Sequence, residues 1–323
     1  MLNDKSILIT GGTGSFGQKF TALALQAYPH IREIVIFSRD PQKQLQMAER
    51  FAHHPLRFIC GDMGNPQDVN EACKNIDLII HTAAIRIAGE AEANPWQAIQ
   101  SNVIGAQNLI EAASTHRVRQ ILALSTDMAS LVNNVYGATK MLSDKLFIDS
   151  NQRYAPLKTS IIRYGNMLGS QGTVIPFFIK KAQEEGILPI TDFRMTRFLA
   201  TPEECVKIAF QALRRSIGGE IIAPKIKSYN ILTIAKAVDE KAALKQIGLR
   251  PGEKLYETMV TRYDSFRTIE TNDSYIIVPP YADTAKYCQH YSALPVSPEF
   301  EFNSENNPNQ YTVAEIKQMI KSM

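Results

Sequence analysis

Tyr136 and Lys140 stand four residues apart in Tyr136-Gly137-Ala138-Thr139-Lys140. On a helix this spacing puts both side chains on one face, one turn apart. An ammonium beside a phenol lowers the phenol's pKa, so the tyrosinate can accept a proton from a substrate hydroxyl while hydride leaves the carbon. The run Ser125-Thr126-Asp127 ends nine residues before Tyr136, and Thr126 offers a hydroxyl to the same substrate oxygen. A Tyr-x-x-x-Lys alone is common by chance; one downstream of both a glycine loop and a strand-end Ser-Thr is not.

A departing hydride needs an acceptor, and Gly11-Gly12-Thr13-Gly14-Ser15-Phe16-Gly17 is suited to hold one. Gly11, Gly14 and Gly17 form a G-x-x-G-x-x-G pattern between an apolar run and a helical stretch. Glycines there let the backbone approach a pyrophosphate, whose charge meets the N–H groups and dipole of the helix start. The ordinary alternative is a tight strand-to-helix turn. The second apolar run ends in Ser38-Arg39-Asp40, with Arg39 22 residues beyond Gly17 and Lys43 following. A guanidinium matches a phosphate with two N–H donors, which favours the 2′-phosphate of NADP. The other reading makes Arg39 a solvated turn residue and gives an NAD ribose to Asp40. Asp62 suits the adenine amino group, although Gly61-Asp62 also reads as an ordinary turn; Met63 and Ala83 complete the expected cofactor contacts.

These groups need a scaffold, and the first half supplies the pattern of one. Short apolar runs alternate with helical-period stretches, which indicates successive βαβ units, an α/β fold and a doubly wound parallel sheet of the Rossmann type. The strands are expected at Ser6–Thr10, Glu33–Phe37, Leu56–Cys60, Leu78–His81, Gln120–Ser125 and Thr159–Arg163. Most end next to one of the motifs, where an open α/β sheet puts its ligands. Residues 1–165 are thus expected to form the NADP-binding domain, with 201–215 an amphipathic helix packing back on it. Residues 166–323, broken by turn signals such as Arg250-Pro251-Gly252, are expected to be mainly a smaller substrate domain.

The 323 residues are 45% apolar and 21% charged, enough for two folded cores. The net charge of +3 is scattered, which argues against nucleic-acid binding. Cys60, Cys73, Cys205 and Cys288 lack metal-ligand spacing, no metal site is expected, and the lack of a secretory leader suggests a cytoplasmic protein. No apolar run approaches a membrane span, so no membrane insertion is expected. His53-His54 reads as a surface pair and Trp96 as a packing residue. The apolar positions of Ile99–Ala112 and Met141–Phe147 read as core faces, and Asn303–Gln310 as a surface loop.

Taken together, the chain resembles an extended short-chain dehydrogenase/reductase acting on nucleotide-sugars, and more narrowly the inverting UDP-N-acetylglucosamine 4,6-dehydratases of bacterial surface-glycan biosynthesis. The resemblance runs almost end to end. It rests on the stretches above and on Arg163-Tyr164-Gly165-Asn166, Arg194-Met195-Thr196-Arg197-Phe198 and Arg250-Pro251-Gly252-Glu253-Lys254. It implies oxidation at C4 by NADP, loss of water across C5 and C6, and return of hydride to C6. Tyr136 and Lys140 then serve the oxidation, Thr126 positions the C4 hydroxyl, and Asp127 protonates the departing C6 oxygen. Arg197 and Arg250 suit a diphosphate, Glu253 the ribose, and Asn166, Arg86 and Ile175-Pro176-Phe177 the sugar-nucleotide cleft. The resemblance also implies at least a dimer, paired through the helices near 99–112 and 141–147.

The chain departs from that family around the sugar. Met128 stands where the family carries a lysine as C5 base, and a thioether cannot take that proton. Arg86-Ile87-Ala88-Gly89 and Leu131-Val132 also differ. A 4-ketoreductase or 4-epimerase on a UDP-amino sugar is therefore the alternative enzyme. A non-catalytic NADP-binding sensor or scaffold is the alternative of another class, opposed by the intact Thr126, Tyr136 and Lys140.

Overall fold

The computed structural model describes residues 1–170 and 173–321. Six strands open the chain: β1 (Ser6–Thr10), β2 (Glu33–Ser38), β3 (Leu56–Cys60), β4 (Leu78–His81), β5 (Gln120–Thr126) and β6 (Lys158–Tyr164). They pair in parallel in the spatial order β3-β2-β1-β4-β5-β6. Helices cover both faces of such a sheet, so its central strands carry no polar face; β1 is buried at every position. The strand order reverses between β1 and β4, which opens a crevice beyond their carboxyl ends.

The second half is less separate than its turn-rich sequence suggests. Strand Ile221–Pro224 lies parallel beside β6, and Ser274–Ile277, Thr268–Glu270 and Leu294–Pro295 follow it antiparallel, making one ten-stranded sheet. The boundary expected at 165 therefore falls inside a shared core, which also takes in Phe198, Met259 and Ile276. A smaller core gathers Leu168, Ile175, Phe178, Leu188, Ile190, Ile234 and Ile316. Strand pairing such as Ile221 with Ile161, sixty residues apart, leaves no periodic trace in a short run, which is why the sequence did not show it.

Helix α1 (Ser15–Ala27) follows β1, and helix Pro202–Arg215 packs on α1 and against β5 and β6. Thr201 and Glu204 form a capping box at the start of the latter. Its buried stripe is Cys205, Val206, Ala209, Ala212 and Leu213, and burial of Val206 and Leu213 contributes roughly 1.5–3 kcal/mol each. Phe210 adds a ring contact to Phe20, with centroids 5.2 Å apart.

Helix Val135–Arg153 behaves differently. Its buried face is largely polar, with Lys140, Ser143 and Asp144 against the sheet, while Leu142 is 47% exposed. The expected apolar core face of 141–147 thus reduces mainly to Phe147. Trp96, expected as a packing residue, is 65% exposed, and Ile104 points outward in the 99–112 segment. Asn303 and Asn307, expected on a surface loop, are buried; Asn307 Nδ2 donates to the Ile226 carbonyl at 2.9 Å. Among the described residues no helix is long and apolar enough to cross a membrane, and no acidic, His or Cys group is arranged to hold a metal.

Candidate active site

The turn from β1 into α1 works only with glycine. Gly11 has φ +66°, and a Cβ there would lie 2.8 Å from Thr82 Oγ1. A Cβ on Gly17 would lie 2.3 Å from the Gly12 carbonyl oxygen, so the helix can approach the strand only without one. The N-cap of α1 is Gly14, which has no side chain to cap the helix. By contrast α2 (Pro41–Arg50) is capped by Asp40, which accepts from the Gln42 and Lys43 N–H groups at 3.0 and 3.1 Å. The first N–H groups of α1 are therefore left for an external anion, and the residues present fit a dinucleotide pyrophosphate.

A cleft of about 440 Å³ runs from this turn to the ends of β5 and β6. Of the cofactor-side residues read from the sequence, Gly11, Thr13, Gly14, Ser15, Phe16, Ser38, Arg39, Lys43, Met63, Ala83, Tyr136 and Lys140 line it. Gly17 and Asp62 do not; Gly17 acts through packing, and Asp62 Oδ1 accepts from the Gly64 N–H at 2.7 Å. The other Asp62 oxygen lies 3.6 Å from Arg39 Nη1, so this carboxylate orients the guanidinium. Asp40 also lines the cleft, but its Oδ1 accepts the capping bonds, and the Lys43 N–H holds its carboxyl below the usual range.

At the far end Thr126, Met128, Tyr136, Lys140, Asn166 and Arg86 share the cleft wall. Asn134 accepts from the Gly137 N–H at 2.8 Å, capping the helix that carries Tyr136 and Lys140, and donates to the Gly252 carbonyl at 3.0 Å. Lys140 Nζ donates to the Leu124 carbonyl at 2.9 Å, and burial pushes its pKa down, with Asp144 opposing. The phenol of Tyr136 is pushed up by burial; its hydrogen bond with Thr126 and the charge of Arg86 work the other way. The lowering expected from Lys140 is not among these influences; the groups that favour the phenolate are Thr126 and Arg86, and burial outweighs them.

Asp127 is buried just outside the cleft lining. Thr126 Oγ1 donates to its Oδ1 at 3.1 Å, and a Cβ on Gly165 would lie 2.8 Å from its Oδ2. Burial first, and then the nearby Glu257, raise its carboxyl to about 7, with Lys254 opposing. Lys254 Nζ lies 2.6 Å from Glu257 Oε2, and Arg197 Nε 3.9 Å from Oε1. Glu257 escaped sequence reading, although it stands three residues beyond Lys254. Asp144 and His81 escaped it too. Asp144 Oδ2 accepts from Ser125 Oγ at 2.8 Å and sits one turn after Lys140. His81 Nδ1 is 2.8 Å from Thr10 Oγ1, and burial, aided by Lys140, depresses the ring to about 3.

The three charged residues read as a nucleotide grip do not converge on the cleft. Arg197 donates to the carbonyls of Thr196, Leu255 and Lys254 at 2.7, 3.2 and 2.8 Å, pinning the 254–255 backbone. Arg250 is exposed, and its N–H donates to Glu253 Oε2 at 2.9 Å. Buried carbonyls that need donors compete for a guanidinium as well as phosphates do, and sequence cannot tell the two apart. Ile175 belongs to the smaller core, whereas Asn166 Nδ2 faces Tyr229 Oη at 3.5 Å.

The family described as polysaccharide biosynthesis protein matches residues 7–279. An inverting UDP-N-acetylglucosamine 4,6-dehydratase of Campylobacter jejuni strain 81-176 is 40% identical over 99% of this chain and 98% of its own. A UDP-glucose 4-epimerase of Rickettsia typhi is 37% identical over 86% of this chain and 84% of its own. The crystal structure of Pen from Bacillus thuringiensis superposes with a TM-score of 0.91 at 29% identity, covering 100% of this chain and 98% of that one. The glycine turn, the parallel sheet and the Thr-Tyr-Lys wall thus belong to a chain that is a member of the polysaccharide biosynthesis protein family of extended short-chain dehydrogenase/reductases.

Proposed function

We propose that this chain is a nucleotide-sugar 4,6-dehydratase acting on UDP-N-acetylglucosamine or a close UDP-amino sugar, with NADP as its cofactor. The observation that carries the reading is the meeting of Thr126, Tyr136 and Lys140 at one end of a cleft whose other end is an uncapped helix start. The name of the Campylobacter relative supports the choice of sugar. Arg39 and Lys43 support NADP, since Asp40, the carboxylate that would hold a bare ribose, is committed to capping α2.

A dinucleotide held at the Gly11–Gly17 turn would supply the acceptor for hydride from C4 and its donor to C6. Tyr136 takes the O4 proton, Lys140 supplies positive charge beside it, and Thr126 orients O4. Arg197 holds the Lys254 and Leu255 carbonyls and Arg250 pairs with Glu253, so these three residues shape the loop that Asn134 meets at Gly252 and are not proposed as the grip on the nucleotide. The exposed Trp96, Ile104 and Leu142 are the proposed contact between copies in a homo-oligomer of the cytoplasm.

A second reading, a 4-epimerase or 4-ketoreductase, is favoured by Met128, which lines the cleft and has no basic atom, and by the name of the Rickettsia relative. The test is NMR of UDP-N-acetylglucosamine in heavy water with the protein and a trace of NADP. The proposed reaction gives a 6-deoxy-4-keto sugar carrying deuterium at C5. A bound but unchanged substrate sinks it, and a gain of dehydration in Met128→Lys then attributes the loss to Met128.

A further inference from the structure

The corner of the cleft at Ser38, Arg39 and Lys43 holds two cations, and each stands beside a carboxylate. Arg39 Nη1 lies 3.6 Å from Asp62 Oδ2, and Lys43 Nζ lies 3.5 Å from Asp40 Oδ2. Neither carboxylate is free to withdraw. Asp40 Oδ1 accepts from the Gln42 and Lys43 N–H groups that open α2. Asp62 Oδ1 accepts from the Gly64 N–H at 2.7 Å, and the turn that carries it is itself fixed. There the Gly61 N–H donates to the Ser38 carbonyl at 3.2 Å, and the Asp62 N–H to Asp68 Oδ2 at 2.9 Å. A Cβ on Gly61 would lie 2.6 Å from the Phe37 ring, so the turn is packed against the strand that leads into Arg39.

Two positive and two negative charges leave this corner without net charge. The remaining polar group is Ser38 Oγ, which accepts from Gln44 Nε2 at 3.1 Å and so keeps its proton for another acceptor. A hydroxyl donor serves a ribose hydroxyl and a phosphate oxygen alike. A 2′-phosphate is attracted by Arg39 and Lys43 and repelled by two carboxylates that stay in place. A bare hydroxyl feels little of either.

We propose that Asp62 is a specificity-determining residue for the dinucleotide: by offsetting the charge of Arg39 it holds the preference for NADP over NAD to about tenfold or less, so that the site accepts both. Asp62 acts through Arg39, since it does not line the cleft itself. The inference rests on reading this end of the cleft as the dinucleotide site and deepens the NADP assignment. Arg39 tilts the choice toward the phosphate, and Asp62 limits the tilt.

The test is fluorescence titration of the full-length protein, freed of bound dinucleotide and without sugar, with NADP and with NAD. Asp62→Asn keeps an oxygen for the Gly64 N–H and removes only the charge. It should bind NADP roughly 3–10-fold more tightly than wild type at about 50 mM salt, with NAD affinity changed by less than about twofold. The gain should shrink as salt rises to about 500 mM, because exposed charges are then screened. Asp62→Glu, which keeps the charge, should show no such gain. Weaker binding of both dinucleotides in Asp62→Asn would make Asp62 a support of the turn, and weaker binding of NADP alone would make it an aid to Arg39. Either outcome overturns the inference, as does an unchanged NADP affinity or a wild-type preference for NADP beyond about a hundredfold. A wild type that binds neither dinucleotide overturns the reading of the site and the inference with it, before any substitution is made. The affinities are read without turnover, so a protein that binds both and forms no 4-keto sugar sinks the proposed reaction while the role of Asp62 is decided on its own.

Discussion

At the dinucleotide end of the cleft the working groups are backbone: the N–H donors that open α1, and glycines whose missing Cβ atoms let strand, helix and ligand approach. At the sugar end they are side chains in mutual contact, with Thr126, Asp127, Tyr136 and Lys140 buried or half-buried and tied to Glu257 and Lys254 from far along the chain. The first end tolerates no added volume. The second tolerates little change of charge. A site can therefore be exacting in two unrelated ways within one cleft, and the two should fail differently when altered.

The largest expected effect is at the sugar end. Tyr136→Phe removes the proton acceptor and should lower kcat by about 10²–10⁴-fold while leaving cofactor affinity, measured by fluorescence titration, nearly unchanged. A matching loss of cofactor affinity would erase the distinction between the two ends. Gly17→Ala should do the reverse, costing about 1–3 kcal/mol of stability by denaturant titration together with NADP affinity, since the new methyl meets the Gly12 carbonyl.

Asp127→Asn sharpens the contrast through pH. The carboxyl is raised from 3.8 to about 7 in the folded protein, so the folded state binds more protons than the unfolded one across that window. Its contribution to stability accordingly falls as pH rises from about 4 to 7. Asp127→Asn should stabilise the fold by about 1–2 kcal/mol at pH 8, read as a higher thermal midpoint, and leave the midpoint little changed at pH 4, while dehydration is lost. A midpoint unaffected at both pH values would mean that Asp127 is not held against its charge. The smallest effect belongs to Arg39→Ala, which should cost about 1 kcal/mol of NADP affinity and none of NAD affinity in paired titrations.

The same contrast governs what the sequence disclosed. The six strands of the first half are read to within a residue or so at each end, because each is a short apolar run followed at once by its own turn and helix. The Tyr136–Lys140 pair and the glycine turn are likewise local, set by spacing along one or two elements. Glu257 beside Asp127, the carbonyls that occupy Arg197, and strand Ile221–Pro224 docking on β6 are long-range facts. Residue types there suggest charge or strand but not the partner. Trp96 shows the converse error: an aromatic residue reads as core, yet nothing local says which way its helix faces.

The docking of Ile221–Pro224 on β6 also sets a schedule. While the chain is being synthesised, the six-stranded sheet is complete once β6 has emerged, but β6 keeps an unpaired edge until the segment around Ile221 follows it. Such an edge is a template for pairing with a neighbouring nascent chain. A product terminated near residue 165 would carry that edge permanently, and should be recovered from cells as aggregate instead of as an isolated dinucleotide-binding domain.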